Sequence, residues 1–259
     1  MTEALVIEVE SRNDVAILHM RHGKANALDV EFCRALATQI DDLSESAQAV
    51  VLTGTGTIFS AGVDLLRVMD EGTDYLRHFL PVLAEFCTTI FSFKNPLVAA
   101  INGHAIAGGC VLACMADRRL IAQGGSRVGV PELLVGVPFP AAPLEAMRFA
   151  IPTRHFGEVL YGGQTYEPEE ALERGLVDET VPPDDLLDRS VEWANRLAGV
   201  NLSAFRLTKE LVRWPVLERM RRGAEQLDAE VSDVWTSAET MTLIRQYVWR
   251  TFKRGGDSP

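Results

Sequence analysis

The sequence predicts an α/β fold: a largely parallel sheet with helical crossovers, followed by a helical C-terminal region. Three observations carry this expectation. Short apolar runs alternate with stretches of helical periodicity over the first two thirds of the chain. Residues 97–116, LVAAINGHAIAGGCVLACMA, read as an apolar strand, a turn at Asn102-Gly103, and a helix entered through Gly108-Gly109. Pro182-Pro183 then marks a boundary, after which the pattern is helical. The expected division is residues 1–183 as an α/β core and 184–259 as a helical region.

Each element has a local reason. Leu5, Ile7 and Val9 alternate with polar residues, residues 15–20 are apolar, and Asn13-Asp14 between them signals a hairpin. Asp29 is a good N-cap for a helix whose Phe32, Leu36, Ile40 and Leu43 share one face. Residues 49–53 read as a buried strand turning at Gly54-Thr55-Gly56, and residues 59–64 lead into another helical stretch. A longer helix is expected over 73–93, with Pro81 near a start or at a kink. Strands follow at 119–122, 127–130 and 176–181, and helices at 141–150, 153–161 and 168–174. Beyond 184, Trp214-Pro215 reads as a break between helices.

Bulk properties narrow the function. A chain of 259 residues can bury one large core, and 47% hydrophobic with 24% charged residues is ordinary globular composition. The net charge of −11 argues against nucleic acid as a partner. Residues 201–259 carry ten Lys and Arg against eight Asp and Glu, so the acidity lies in the first 200 residues. Cys33, Cys87, Cys110 and Cys114 are too few and too embedded in apolar runs for a disulfide scaffold, and no spacing suggests a metal site. A reduced, cytoplasmic setting is expected. Glu3, Glu8 and Glu10 sit on a strand-like pattern unlike a targeting peptide. Residues 95–116 lack Lys, Arg, Asp and Glu, but Asn102, Gly103, His104 and the glycine pair interrupt the run, so no membrane span is expected.

Several short motifs fail on inspection. After Gly54-x-Gly56 a dinucleotide loop would need glycine at Phe59, and a nucleophile elbow on Ser60 would need glycine at Ile58. Two loop-to-helix junctions remain, Ala61-Gly62-Val63 and Ala107-Gly108-Gly109. Singly, each is a tight turn. As a pair they can direct two backbone N–H donors at one oxygen, the arrangement of an oxyanion hole. Glu132 is the only charged residue between Arg127 and Glu145. It reads either as a first-turn residue after Pro131, complementing a helix dipole, or as a carboxylate held in an apolar pocket and poised to take a proton from carbon.

Taken in order, GKANAL, FSAGVDL, INGHAIAGGCVLA, VPELLVGVP and ALERGLVDETVP make the chain resemble the crotonase superfamily, the enoyl-CoA hydratase/isomerase fold. The resemblance spans most of the sequence. It implies a spiral of ββα units, a C-terminal helical region that serves oligomerisation and site closure, a homotrimer or dimer of trimers, and an acyl-CoA thioester substrate. It implies an oxyanion hole from the N–H groups of Val63 and Gly108, with Gly109 beside it. Coenzyme A, carried as part of the substrate, would lie along Lys24, Ala25, Ala61, Asp64 and Leu65, with Phe252 and Lys253 as candidates from a neighbouring subunit. No separate cofactor or metal is implied.

The chain departs from the hydratase pattern at one decisive place. Hydratases of this superfamily hold one water between two glutamates; Glu132 matches the second, and Val111 stands where the first would be. The glycine-rich turn after the second glutamate is replaced by Pro138-Phe139-Pro140-Ala141-Ala142-Pro143. One carboxylate without a held water suits moving a double bond from the 3,4 to the 2,3 position. The expected activity is therefore that of a Δ3,Δ2-enoyl-CoA isomerase with Glu132 as the single acid/base and Val111 and Phe139 as apolar walls. The alternatives are a weak or relaxed enoyl-CoA hydratase, and a non-catalytic CoA- or RNA-binding scaffold.

Overall fold

A computed structural model of the chain describes residues 6–252. Glu3, Leu5 and Lys253 lie outside the described residues, as does the side chain of Phe252. The chain opens with an antiparallel hairpin, β1 (Ile7–Arg12) and β2 (Val15–Met20), turning at Asn13-Asp14. Helix α1 (Val30–Ser46) follows, with Asp29 Oδ1 accepting from the Phe32 N–H at 2.7 Å and Phe32, Leu36, Ile40 and Leu43 buried. The expected N-cap and helical face are both present.

Three ββα repeats come next. They are β3 (Ala49–Thr53), β4 (Ile58–Ser60) and α2 (Leu65–Ser92); β5 (Leu97–Ile101), β6 (His104–Ile106) and α3 (Gly108–Cys114); and β7 (Arg118–Ala122), β8 (Val128–Gly129) and α4 (Glu132–Val135). The first strand of each repeat joins one sheet and the second strand joins another. The larger sheet runs β1-β2-β3-β5-β7-β10 and the smaller β4-β6-β8-β9, with β9 (Thr165–Tyr166) and β10 (Glu179–Val181) contributed from further along the chain. All pairings except β1–β2 and β8–β9 are parallel. This is the mixed α/β spiral that the resemblance implies.

Strand side chains divide by the period of two. Leu18, Val50, Leu52, Ala99, Ile101 and Ile121 face the main core, shared with α1, α2 and α3. Val15, Ile17, Val51, Val98, Ala100 and Leu120 face the opposite way, onto Leu186 and Ala194 of α8 (Leu186–Ala198). Each fully buried large side chain of this kind contributes about 1.5–3 kcal/mol relative to exposure. The remaining helices are α5 (Ala141–Ala150), α6 (Thr153–Gly162), α7 (Pro168–Glu173), α9 (Leu202–Trp235) and α10 (Ala238–Phe252). Thus α8, the first helix beyond residue 184, covers a sheet face, while α9 packs across α2 and α5.

Some local expectations need correction. Trp214-Pro215 does not break the last helical region: α9 runs through it for 34 residues. Proline removes one intrahelical hydrogen bond, but buried Lys209 and Arg213 before it and Val216 and Met220 after it hold both halves against the core. Helix α2 is interrupted instead at Gly72 (φ 76°, ψ −156°), so the helical stretch after Asp64 and the longer helix from Thr73 are separate pieces, with Pro81 inside the second. The strand expected over 176–181 is confined to β10, because the Leu176 N–H is taken by Ala171 O at 2.9 Å. Residues 95–116 form β5, β6 and α3, and among the described residues no helix is long and apolar enough to cross a membrane.

Candidate active site

The two glycine junctions lie against each other. The first is clamped in place: Asn26 Nδ2 donates to Phe59 O (3.0 Å), Ser60 Oγ donates to Asn26 O (2.7 Å), and the Gly62 N–H reaches Ser60 Oγ (3.2 Å). Leu28 then pairs with Val63 as an isolated parallel bridge, its N–H donating to Gly62 O (2.8 Å) and its carbonyl accepting from Asp64 N (3.0 Å). In a parallel bridge these bonds fall on the residues either side of Val63, so Val63's own N–H points the other way.

The second junction enters α3 through Ala107, held at φ 53° and ψ −126° with its N–H bonded to Gly129 O (2.8 Å). A non-glycine residue in this region costs of order 1–3 kcal/mol, and such strain gathers at functional sites. Gly108 is the first residue of α3, so its N–H has no intrahelical acceptor. Glycine is required for the approach. A Cβ on Gly62 (φ 80°) would sit 2.7 Å from Gly108 N, and one on Gly108 would sit 3.7 Å from Val63 N. Among the described residues neither the Val63 nor the Gly108 N–H has a protein acceptor. Two free amides on abutting junctions that line one cleft form a ready receptor for a developing oxyanion.

Glu132 opens the single-turn helix α4, which Gly136 closes in the left-handed region (φ 85°), with the Val137 N–H on Glu132 O at 3.0 Å. The backbone is thus tied down while the side chain points into an apolar cleft of about 720 Å³, open mouth included. The residue keeps some exposure, but Oε2 is buried and has no hydrogen-bond partner among the described residues. Burial pushes the carboxyl up to about 8, only partly offset by its own backbone N–H. A carboxyl poised near neutrality beside an amide-lined oxyanion site can take a proton from carbon next to a carbonyl and return it nearby.

The cleft brings together Ala61, Val63, Leu65, Gly108, Val111, Glu132 and Phe139 of the sequence-derived candidates. Val111 is buried one turn into α3, with no polar atom to hold a water. Four candidates lie off the cleft wall. Lys24 is exposed and Ala25 half-buried on the loop beside it, the Ala25 carbonyl accepting from Ala61 N at 3.0 Å. Asp64 caps α2, its Oδ1 accepting from the Arg67 N–H at 3.0 Å. Gly109 backs onto Ser60, whose carbonyl oxygen a Cβ would meet at 2.1 Å, so its glycine serves packing.

Sequence reasoning missed Trp235 and Tyr247, which bring α9 and α10 to the cleft, and Leu83 and Cys87 of α2. The Trp235 Nε1–H donates to Pro138 O at 2.9 Å. Leu83 and Cys87 are four apart on one helical face, the one periodic signal available; Trp235 and Tyr247 lie about a hundred residues from Glu132, and local spacing holds no trace of them.

The ββα spiral thus brings two unpartnered backbone amides and one desolvated carboxyl to a single cleft, an arrangement able to receive a developing oxyanion beside an acid/base group. The family model for enoyl-CoA hydratase/isomerase matches residues 10–244, and the chain belongs to that family. It is 32% identical over 213 residues to a putative enoyl-CoA hydratase of Thermus thermophilus, covering 80% of this chain and 83% of that one. It is 29% identical to mouse mitochondrial enoyl-CoA delta isomerase 1, covering 81% of this chain and 74% of that one. The crystal structure of human mitochondrial delta3-delta2-enoyl-CoA isomerase superposes with a TM-score of 0.90 at 25% identity, covering 97% of this chain and 100% of that one.

Proposed function

We propose that this chain is a Δ3,Δ2-enoyl-CoA isomerase in which Glu132 is the single acid/base. One observation carries the reading: among the described residues Glu132 is the only carboxyl group lining the cleft, and the position one turn into α3 is the buried, apolar Val111. A 3-enoyl thioester would set its carbonyl oxygen between the Val63 and Gly108 N–H groups. The Glu132 carboxylate takes a proton from C2, and the electron pair spreads through the dienolate to the held oxygen. The same carboxyl then returns the proton at C4, leaving the double bond between C2 and C3. The conversion consumes no water and transfers no electrons to an acceptor, so it needs nothing beyond the coenzyme A that the substrate carries. That carrier is assigned to the side of the cleft bearing Lys24, Ala25, Ala61, Asp64 and Leu65.

A hydratase reading is favoured by the names of relatives such as the Thermus protein. Hydration requires a held nucleophilic water, and Val111 gives it no partner. The test offers the purified protein a 3-enoyl-CoA and, separately, crotonyl-CoA, and follows absorbance of the conjugated thioester. Appearance of that band from the 3-enoyl substrate, with crotonyl-CoA consumed far more slowly, is expected. Hydration at a matching rate would replace the isomerase by the hydratase.

The homotrimer or dimer of trimers belongs to the same proposal. Leu207, Leu211 and Trp214 on α9 are exposed at spacings of four and three, an apolar face that an assembly would cover. Light scattering after gel filtration would read a threefold or sixfold mass. A cytoplasmic setting fits the four free, buried cysteines.

A further inference from the structure

The cleft does not end in solid core. On the far side of Pro140 lies a second, solvent-open pocket of about 680 Å³, open mouth included, lined by Arg77, Leu80 and Ala84 of α2 and Asp228 and Val231 of α9. Pro140 borders both spaces. Along α2, Leu83 faces the cleft and Leu80 and Ala84 face the cavity; along α9, Trp235 faces the cleft and Val231, one turn earlier, faces the cavity. Two compartments thus follow one another along the α2–α9 groove, divided by the strap of Pro138, Phe139 and Pro140.

The strap hangs from α9 at both ends. Trp235 Nε1–H holds Pro138 O at 2.9 Å on the cleft side, and Asp228 Oδ1 accepts from Ala141 N at 2.9 Å on the cavity side. Two prolines remove backbone freedom from the strap itself. The wall is therefore anchored at both ends, and the cleft side is apolar apart from Glu132 and the polar tips of Trp235 and Tyr247, with no Lys or Arg among the described residues to receive a second carboxylate.

We propose that this strap is a chain-length stop: the cleft accepts uncharged hydrocarbon acyl chains up to the Pro140 wall, and the cavity beyond is space that longer chains could fill if the wall were opened. Trp235 and Asp228 are positioning residues for that wall. The inference rests on the acyl-thioester reading above.

The experiment uses saturated acyl-CoA thioesters, which bind without reacting, from butyryl to palmitoyl, titrated calorimetrically into the full chain. In the wild type, each added methylene should tighten binding about fourfold until the chain meets the wall. Beyond that length the affinity should stop rising or fall. Pro140→Gly should move this break to longer chains, and adding Ala84→Phe, which fills the second cavity, should move it back. Ala84→Phe alone, which leaves the strap intact, should leave the wild-type profile unchanged, and thermal melting of each variant confirms folding. A break unmoved by Pro140→Gly overturns the stop. So does a shortened range in Ala84→Phe alone, since the chain would then already pass the wall, and this variant decides the matter even if Pro140→Gly fails to fold. Absence of binding at every length overturns the acyl-thioester reading itself and the stop with it.

Discussion

Asp117 and Glu132 are both carboxyl groups taken out of water, and their surroundings are opposite. Asp117 is saturated: Oδ2 accepts from Lys209 Nζ (2.6 Å) and the Leu97 N–H (2.8 Å), and Oδ1 accepts from Arg213 (2.7 Å). The two cations are themselves buried and shared with backbone carbonyls, Lys209 with Asn95 O and Arg213 with Phe91 O and Met115 O. Glu132 Oε2 has no partner among the described residues. A buried charge with three partners ties α9 to the start of β5 and fixes structure. A buried carboxyl with one oxygen unpartnered and no cation beside it among the described residues is a group whose protonation is left undecided near neutral pH, which is what an acid/base requires.

The sharpest way to break this comparison is to remove the proton-carrying capacity of Glu132 alone. Glu132→Gln should lower kcat by about 10²–10⁴, the usual contribution of a positioned general base, while circular dichroism shows an unchanged fold. In the wild type, kcat/KM should climb as the free enzyme's Glu132 ionises and level off above pH about 8, in line with its burial. The glutamine variant should lose that limb. Unchanged turnover would remove Glu132 from the mechanism.

The partner experiment inverts the readout. Asp117→Ala should cost about 3–5 kcal/mol of stability, because it strands Lys209 and Arg213 as uncompensated buried cations. Burial already pushes Lys209 down to about 8, with Asp117 pulling against it. A denaturant midpoint measures the loss, and kcat of the folded fraction should stay within a few-fold of wild type. A large activity loss at full stability would mean that the network acts on the site directly.

The amide pair is tested next. Gly62→Ala puts a Cβ at positive φ and 2.7 Å from Gly108 N, so a donor must move, and kcat should fall by about 10²–10³. Gly108→Ala meets chiefly the flexible Leu28 Cδ1, also at 2.7 Å, and should cost less. Equal losses would argue against backbone approach as the reason for glycine at position 62.

What could be read from the sequence follows the range of the forces involved. The Asp29 cap, the Phe32–Leu36–Ile40–Leu43 face and the apolar strands depend on neighbours a few residues away, and periodicity reveals them. The two glycine junctions and the isolated Glu132 stood out because each breaks a local pattern: glycine where a helix begins, a charge in an apolar run. Pro215 misled because its local cost is outweighed by Lys209, Arg213, Val216 and Met220, whose burial depends on distant strands and helices. Trp235, Tyr247 and the Asp228 anchor of the strap were invisible for the same reason. Asp64, a ligand contact by position, also caps α2 through Oδ1.

The smallest expected effect concerns stability, and its sign separates the two carboxyls. Because burial raises the Glu132 pKa from 4.5 to about 8, the folded chain binds that proton more tightly than the unfolded chain. Below pH 4.5 both states are protonated and burial exacts no electrostatic cost. From pH 4.5 to about 8 the unfolded carboxyl ionises first, so stability falls as pH rises, and above about 8 the cost is complete. Glu132→Gln carries no such proton. It should melt close to wild type, or slightly lower because its amide is also unpaired, near pH 4.5, and should gain on the wild type by a few kcal/mol at pH 8 and above. Thermal melting of both proteins across this range measures the crossing. A difference independent of pH would mean that the Glu132 carboxyl is solvated, and the contrast with Asp117 would then lose its physical basis.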